Sequence, residues 1–187
     1  VMQEAFNKSI QFTLNANGIF YTNSPTRKFF YDKWNKDNKD DALIHYEMVK
    51  RYDDISDLQA DKILLIIDDK NLINHYLELF SKRDDCHVTK SQDNFLDIMP
   101  KGINKGQALA HLARVYNLNP EEIITFGDHD NDYEMISYAT VSVAMPNGSE
   151  KAKKASSLIA LDTSDHDGVS QTLEHLMDDG IIKPITK

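Results

Sequence analysis

The chain has 187 residues, 41% of them hydrophobic and 27% charged, with a formal net charge of −9. Such a balance suits one globular domain or two small ones, and it argues against nucleic-acid binding, which relies on Lys and Arg displacing counterions. The longest apolar run, Ile63–Ile67, is far too short to cross a bilayer, and the N-terminus has no signal-peptide pattern.

Ala5, Phe6, Ile10 and Leu14 recur at helical spacing, with Gly18 as a stop. Ile19–Thr22 and Phe29–Tyr31 read as strands, Asn35–Asp41 as a polar loop and Leu43–Tyr52 as a helix. Lys62–Ile67 is a buried strand, followed by a helical stripe of Leu72, Ile73, Tyr76, Leu77 and Phe80. Cys86–Ser91 and Asn94–Met99 form a strand pair. Residues 1–99 therefore read as an α+β unit. Cys86 is the lone cysteine, so no intrachain disulfide is possible, which fits a cytoplasmic protein.

The pattern changes after Pro100. Lys105–Tyr116 is an amphipathic helix with Ala108, Leu109, Leu112 and Ala113 on one side. Strands at Ile123–Phe126, Val141–Ala144 and Leu158–Leu161 alternate with helices at Tyr133–Tyr138, Ser149–Ala155 and Gly168–Met177. This alternation predicts a parallel α/β sheet over residues 100–187. Ligands of such sheets sit beyond the carboxyl ends of the strands.

The loop after Ile123–Phe126 reads Gly127-Asp128-His129-Asp130-Asn131-Asp132. Three carboxylates and an amide at a strand end suit a hard cation such as Mg²⁺, which takes one or two carboxylates with waters and phosphate. A helix N-cap is the competing explanation. An EF-hand is excluded, because Tyr133 and Ala139 stand where that loop needs Gly and Glu. Lys105 opens a helix, where its charge opposes the macrodipole, but beside acids and a phosphate it has a purpose. Ala144-Met145-Pro146-Asn147-Gly148 leaves the next strand towards the same crevice, and is also a routine turn composition. Asp165-His166-Asp167-Gly168-Val169 opens the last helix.

In this order, Asn104-Lys105-Gly106, Gly-Asp-x-x-Asn-Asp, Val143-Ala144-Met145-x-Asn147 and Asp167-Gly168-Val169 resemble the C-terminal half of Cof-type haloacid dehalogenase-like (HAD) phosphatases. The resemblance implies a Rossmannoid parallel-sheet core in residues 100–187, with residues 1–99 as the inserted α+β cap. It implies that Lys105 binds the transferring phosphoryl group, Asp128 is a Mg²⁺ ligand, Asn131 and Asn147 touch substrate phosphate, and Asp132 supports Lys105 or the metal's waters. The implied activity is hydrolysis of a small, sugar-phosphate-like ester through an aspartyl-phosphate.

Two departures stand out. Pro146 occupies a position where the family usually has Gly, and the family's Asp-x-Asp-Gly nucleophile strand is missing. Asp165-His166-Asp167-Gly168 has that spacing, but no apolar strand runs immediately before it. The chain, which opens at Val1 directly into a helical pattern, is thus expected to be inactive alone, its nucleophile supplied by an N-terminal segment. A pseudoenzyme acting as a binding module is the alternative.

Overall fold

The computed structural model describes residues 1–38 and 43–183 and separates into two compact units, Val1–Ile103 and Asn104–Lys187. No helix among the described residues is long and apolar enough to cross a membrane.

The N-terminal unit opens with a short helix, α1 (Met2–Asn7), which stops where Ser9 takes φ 54°. Strand β1 (Gln11–Ala16) follows and turns into β2 (Ile19–Thr22). Asn17 and Gly18 both have positive φ, the requirement of a tight hairpin turn. The expected helix through Leu14 is therefore cut short. Ile10 and Leu14 are spaced for a helix, but Phe12, Leu14 and Ala16 are buried at period two, and Gly18 turns a hairpin rather than ending a helix.

Helix α2 (Pro25–Asp37) contains Phe29–Tyr31, correcting the strand expected there. Its start is specified by Ser24, whose hydroxyl accepts from Arg27 N–H at 3.3 Å, and by Pro25 in the first turn. Asn35–Asp37, expected as loop, is its last turn; the rest of that loop beyond Asn38 lies outside the described residues. The helix expected over Leu43–Tyr52 is instead strand β3 (Tyr46–Met48), parallel to β2, and then a 3₁₀ turn from Tyr52. That pairing is with a distant segment and outweighs a weak local preference.

Strand β4 (Lys62–Ile66), helix α3 (Lys70–Ser81) and strands β5 (Cys86–Gln92) and β6 (Phe95–Pro100) complete a six-stranded sheet ordered β3-β2-β1-β4-β6-β5. Its apolar core gathers Phe12, Leu14, Leu65, Leu96 and Ile98 with Ala5, Ile73, Tyr76 and Phe80 from α1 and α3. Burial, and then the hydrogen bond that Tyr76 donates to Glu4 at 3.1 Å, push the Tyr76 phenol up to about 12 from 10.0. The unfolded chain ionises first as pH rises, so this contribution is intact below pH 10 and is lost as pH climbs from about 10 to about 12. Denaturant titrations across that range should show a falling midpoint, and Tyr76→Phe should flatten the fall.

In the C-terminal unit, α4 (Lys105–Tyr116) precedes β7 (Ile124–Gly127), α5 (Tyr133–Tyr138), β8 (Val141–Ala144), α6 (Glu150–Ala155), β9 (Leu158–Ile159) and α7 (Gly168–Asp178). The three strands are parallel in the order β7-β8-β9. This is the α/β class expected. Ala113 of α4 is buried against Ile123 and Ala139 with Leu109 beside it, whereas Leu112 is 50% exposed and Val115 and Tyr116 face outward too. The expected apolar side of α4 is thus split, one stripe packed and one open. Among the described residues β7 is an edge, bonded to β8 on one side only.

Candidate phosphate and metal site

The carboxyl ends of β7 and β8 place two loops side by side. Met145 N–H donates to Gly127 O at 2.9 Å and Ser149 N–H to Asp128 O at 2.7 Å, which ties the Asn147 loop to the acidic loop. Gly148 is needed for this approach. A Cβ there would stand 2.7 Å from Asp128 O and 2.9 Å from Met145 O.

Asp132 is the centre of the site. It is 2% exposed, and its carboxylate is fully engaged. Oδ1 accepts from the Lys105 ammonium, and Oδ2 accepts from the backbone N–H of Asp128 at 2.9 Å and of His129 at 3.1 Å. Burial works to raise its pKa. The Lys105 bond and the two amides outweigh that and hold the carboxyl below its ordinary 3.8. Lys105 at the start of α4 therefore has its counter-charge, which answers why a cation sits at a helix N-terminus. The capping alternative is partly realised as well, since the same carboxylate closes the 3₁₀ turn Asp130–Asp132.

Two glycines make this geometry possible. A Cβ on Gly127 would come within 2.6 Å of Asp132 Cβ and 2.8 Å of Ile136 Cδ1, so this position leaves room for the acid. It is not a positive-φ turn, so what requires glycine here is close packing. Gly106 stands in the Asn104-Lys105-Gly106 motif with no role of its own in the sequence; a Cβ there would meet Glu134 Cβ at 2.6 Å and the Glu134 backbone at 2.7 and 2.8 Å. It lets α4 lie against α5 and brings Lys105 over Asp132. The only sequence signal was its place directly after Lys105.

The Asp128 carboxylate is about half exposed, with His129 Nε2 at 3.6 Å and no Lys or Arg paired to it among the described residues. Asn131 is half-buried, Asn147 is exposed, and neither side chain hydrogen-bonds within the protein among the described residues. Lys105, Asp128, Asn131 and Asp132 are thus brought together, while Asn147 joins them through the backbone of its loop. No group of three His, Cys, Asp or Glu converges on one point among the described residues. The donor set is one open carboxylate beside an ammonium and amides, which fits Mg²⁺ shared with phosphate oxygens and water better than a protein-only metal cage. Asp167 has φ 59° and starts α7, as its motif suggested.

Asp132→Asn removes the charge that satisfies three donors. We expect a loss of about 2–3 kcal/mol of unfolding free energy. Because the folded pKa is depressed, the wild-type contribution is complete above the unfolded value and disappears as pH falls below about 4 through the folded value. Chemical denaturation of both proteins should converge at low pH.

A family model for haloacid dehalogenase-like hydrolases matches residues 1–173. The chain belongs to the haloacid dehalogenase-like hydrolase family. Within it, the resemblance to Cof-type phosphatases holds. A Mycoplasma pneumoniae protein is 35% identical over 121 residues, covering 65% of this chain and 43% of its own length. The 5-amino-6-(5-phospho-D-ribitylamino)uracil phosphatase YcsE of Bacillus subtilis is 31% identical over 123 residues, covering 66% and 49%. A haloacid dehalogenase-like hydrolase structure from B. subtilis superposes with TM-score 0.79 at 20% identity, covering 93% of this chain and 68% of that one. The chain spans about half the length of the curated relatives it matches.

Proposed function

We infer that this chain supplies the metal- and phosphate-binding half of a Mg²⁺-dependent phosphatase for a small phosphorylated metabolite, with residues 1–99 as its substrate-selecting cap. The observation that carries this reading is the Lys105–Asp132 pair, locked to the backbone of the loop that presents Asp128.

In this account Lys105 meets an oxygen of the transferring phosphoryl group and Asn131 donates its amide to another. Asn147 adds a contact from the neighbouring loop. Asp132 holds the ammonium in place, so that little reorganisation is needed as charge develops. Mg²⁺ on Asp128 would neutralise charge on the phosphoryl oxygens. The attacking aspartate, which forms an aspartyl-phosphate that water then hydrolyses, comes from a strand outside this chain. The free edge of β7 and the open apolar stripe of α4 (Leu112, Val115, Tyr116) are consistent with a further strand and helix packing there. The name of the B. subtilis relative, an enzyme for a small phosphate ester, supports the substrate class.

The test is hydrolysis of sugar phosphates and other small phosphate esters by the 187-residue chain and by the gene-encoded protein carrying an Asp-x-Asp strand. The reading expects no turnover from the first and Mg²⁺-dependent turnover from the second. If the gene-encoded protein has no such strand and no activity, the chain is a binding module instead.

A further inference from the structure

The N-terminal unit contains a cavity of about 430 Å³ between the start of β1, the end of β4, the β5–β6 turn and α2. It lies at the Phe95 end of β6. Its volume is in the range of small-molecule sites.

Two opposite charges line this cavity without neutralising each other. Arg27 is held in position by the Tyr31 hydroxyl, which accepts from Nε at 3.3 Å and Nη2 at 3.2 Å, and by the Phe30 and Tyr31 rings at 5.5 and 5.1 Å. No carboxylate among the described residues is ion-paired to it. The nearby Asp32 is taken by Lys28 and Tyr46. Arg27 also borders a smaller cavity of about 90 Å³, and the charged neighbour there is Lys62, which already holds the buried Asp97 at 2.9 Å. Asp68 accepts from Asn94 Nδ2 at 2.8 Å and has no ion-paired cation among the described residues. Phe30, Phe95 and Ile66 give the same cavity an apolar wall.

We propose that this cavity binds a small zwitterion of the amino-acid type: its carboxylate on Arg27, its ammonium on Asp68, and an apolar or aromatic side chain against Phe30, Phe95 and Ile66. A planar guanidinium fixed by two rings is suited to a carboxylate, which it can take through paired N–H bonds. The aromatic walls favour a flat or bulky apolar body. A simple anion would gain Arg27 but be repelled by Asp68, so charge of both signs is what the lining selects. The proposal does not rest on the phosphatase reading.

Calorimetric titration of the 187-residue chain with L-phenylalanine, L-leucine, N-acetylphenylalanine, phenylalaninamide and inorganic phosphate tests it. Saturable binding of the free amino acids is expected. Loss of either ligand charge, or Arg27→Gln or Asp68→Asn in the protein, should weaken it by about tenfold or more, the equivalent of one good charged contact. Asp68 is exposed, so Asp68→Asn tests the site even if Arg27→Gln disturbs α2. Amide shifts on titration should centre on Phe30 and Asn94. No binding of the free amino acids at millimolar concentration overturns the proposal, as does equal binding of the blocked analogues or of phosphate, or shifts that centre elsewhere.

Discussion

If the proposed function holds, Lys105→Met should lower phosphate-ester hydrolysis by the active protein about 10²–10³-fold, the usual effect of deleting one donor aimed at developing charge. Stability should fall far less. The Lys105 side chain is 51% exposed, and the Asp132 carboxylate left behind keeps its two backbone donors. With water able to reach the vacated side, the loss should be held to about 1 kcal/mol. Activity and unfolding measured on the same preparation separate the two. A large stability loss with unchanged kcat would make Lys105 a structural partner of Asp132 and nothing more.

Gly106→Ala should be damaging through geometry alone. Alanine is the better helix former by about 1 kcal/mol, so on propensity this change would stabilise α4. The new Cβ, however, would lie 2.6–2.8 Å from Glu134 Cβ and backbone, atoms that cannot rotate away. α4 and α5 must separate, at a cost of about 1–3 kcal/mol. The shift carries Lys105, the preceding residue, away from Asp132. A displacement near 1 Å can cost about 10²-fold in rate, so hydrolysis should fall well beyond what the stability loss explains. Thermal unfolding together with kcat checks it. A variant as stable and active as the wild type would mean that the two helices are not so closely placed.

The two units differ in how much of them could be read from sequence. In the C-terminal unit the strands are short and bounded by turn residues, and helices alternate with them along the chain, so the local pattern gives each element its type. The N-terminal unit misleads where the local signal is double. Ile10 and Leu14 satisfy a helical repeat and a strand repeat alike, and what decides is Ser9 turning to positive φ and the sheet on both sides of β1. Phe29–Tyr31 looks like a strand because aromatic residues favour sheets, yet the Ser24-Pro25 start signal beside it is stronger. Tyr46–Met48 pairs with a strand more than twenty residues away, which no local window contains.

The site was legible as residue types and order. Lys105 at a helix start without a counter-charge and acids packed into a strand-end loop pointed to one another. The division of labour among the acids came from the family resemblance alone, because residue types and spacing do not give it. Asp132 is sealed against Lys105 and two amides, while Asp128 keeps its carboxylate open. That division depends on the glycine gaps at 106 and 127, which are packing relations between segments.

Anomalous diffraction from crystals of this protein grown with Mn²⁺ and phosphate addresses the site itself. The account predicts a manganese peak about 2.1 Å from an Asp128 carboxylate oxygen, with a phosphate oxygen on the Lys105 ammonium. A metal bound away from Asp128, or phosphate held on a face that Lys105 does not reach, would contradict it.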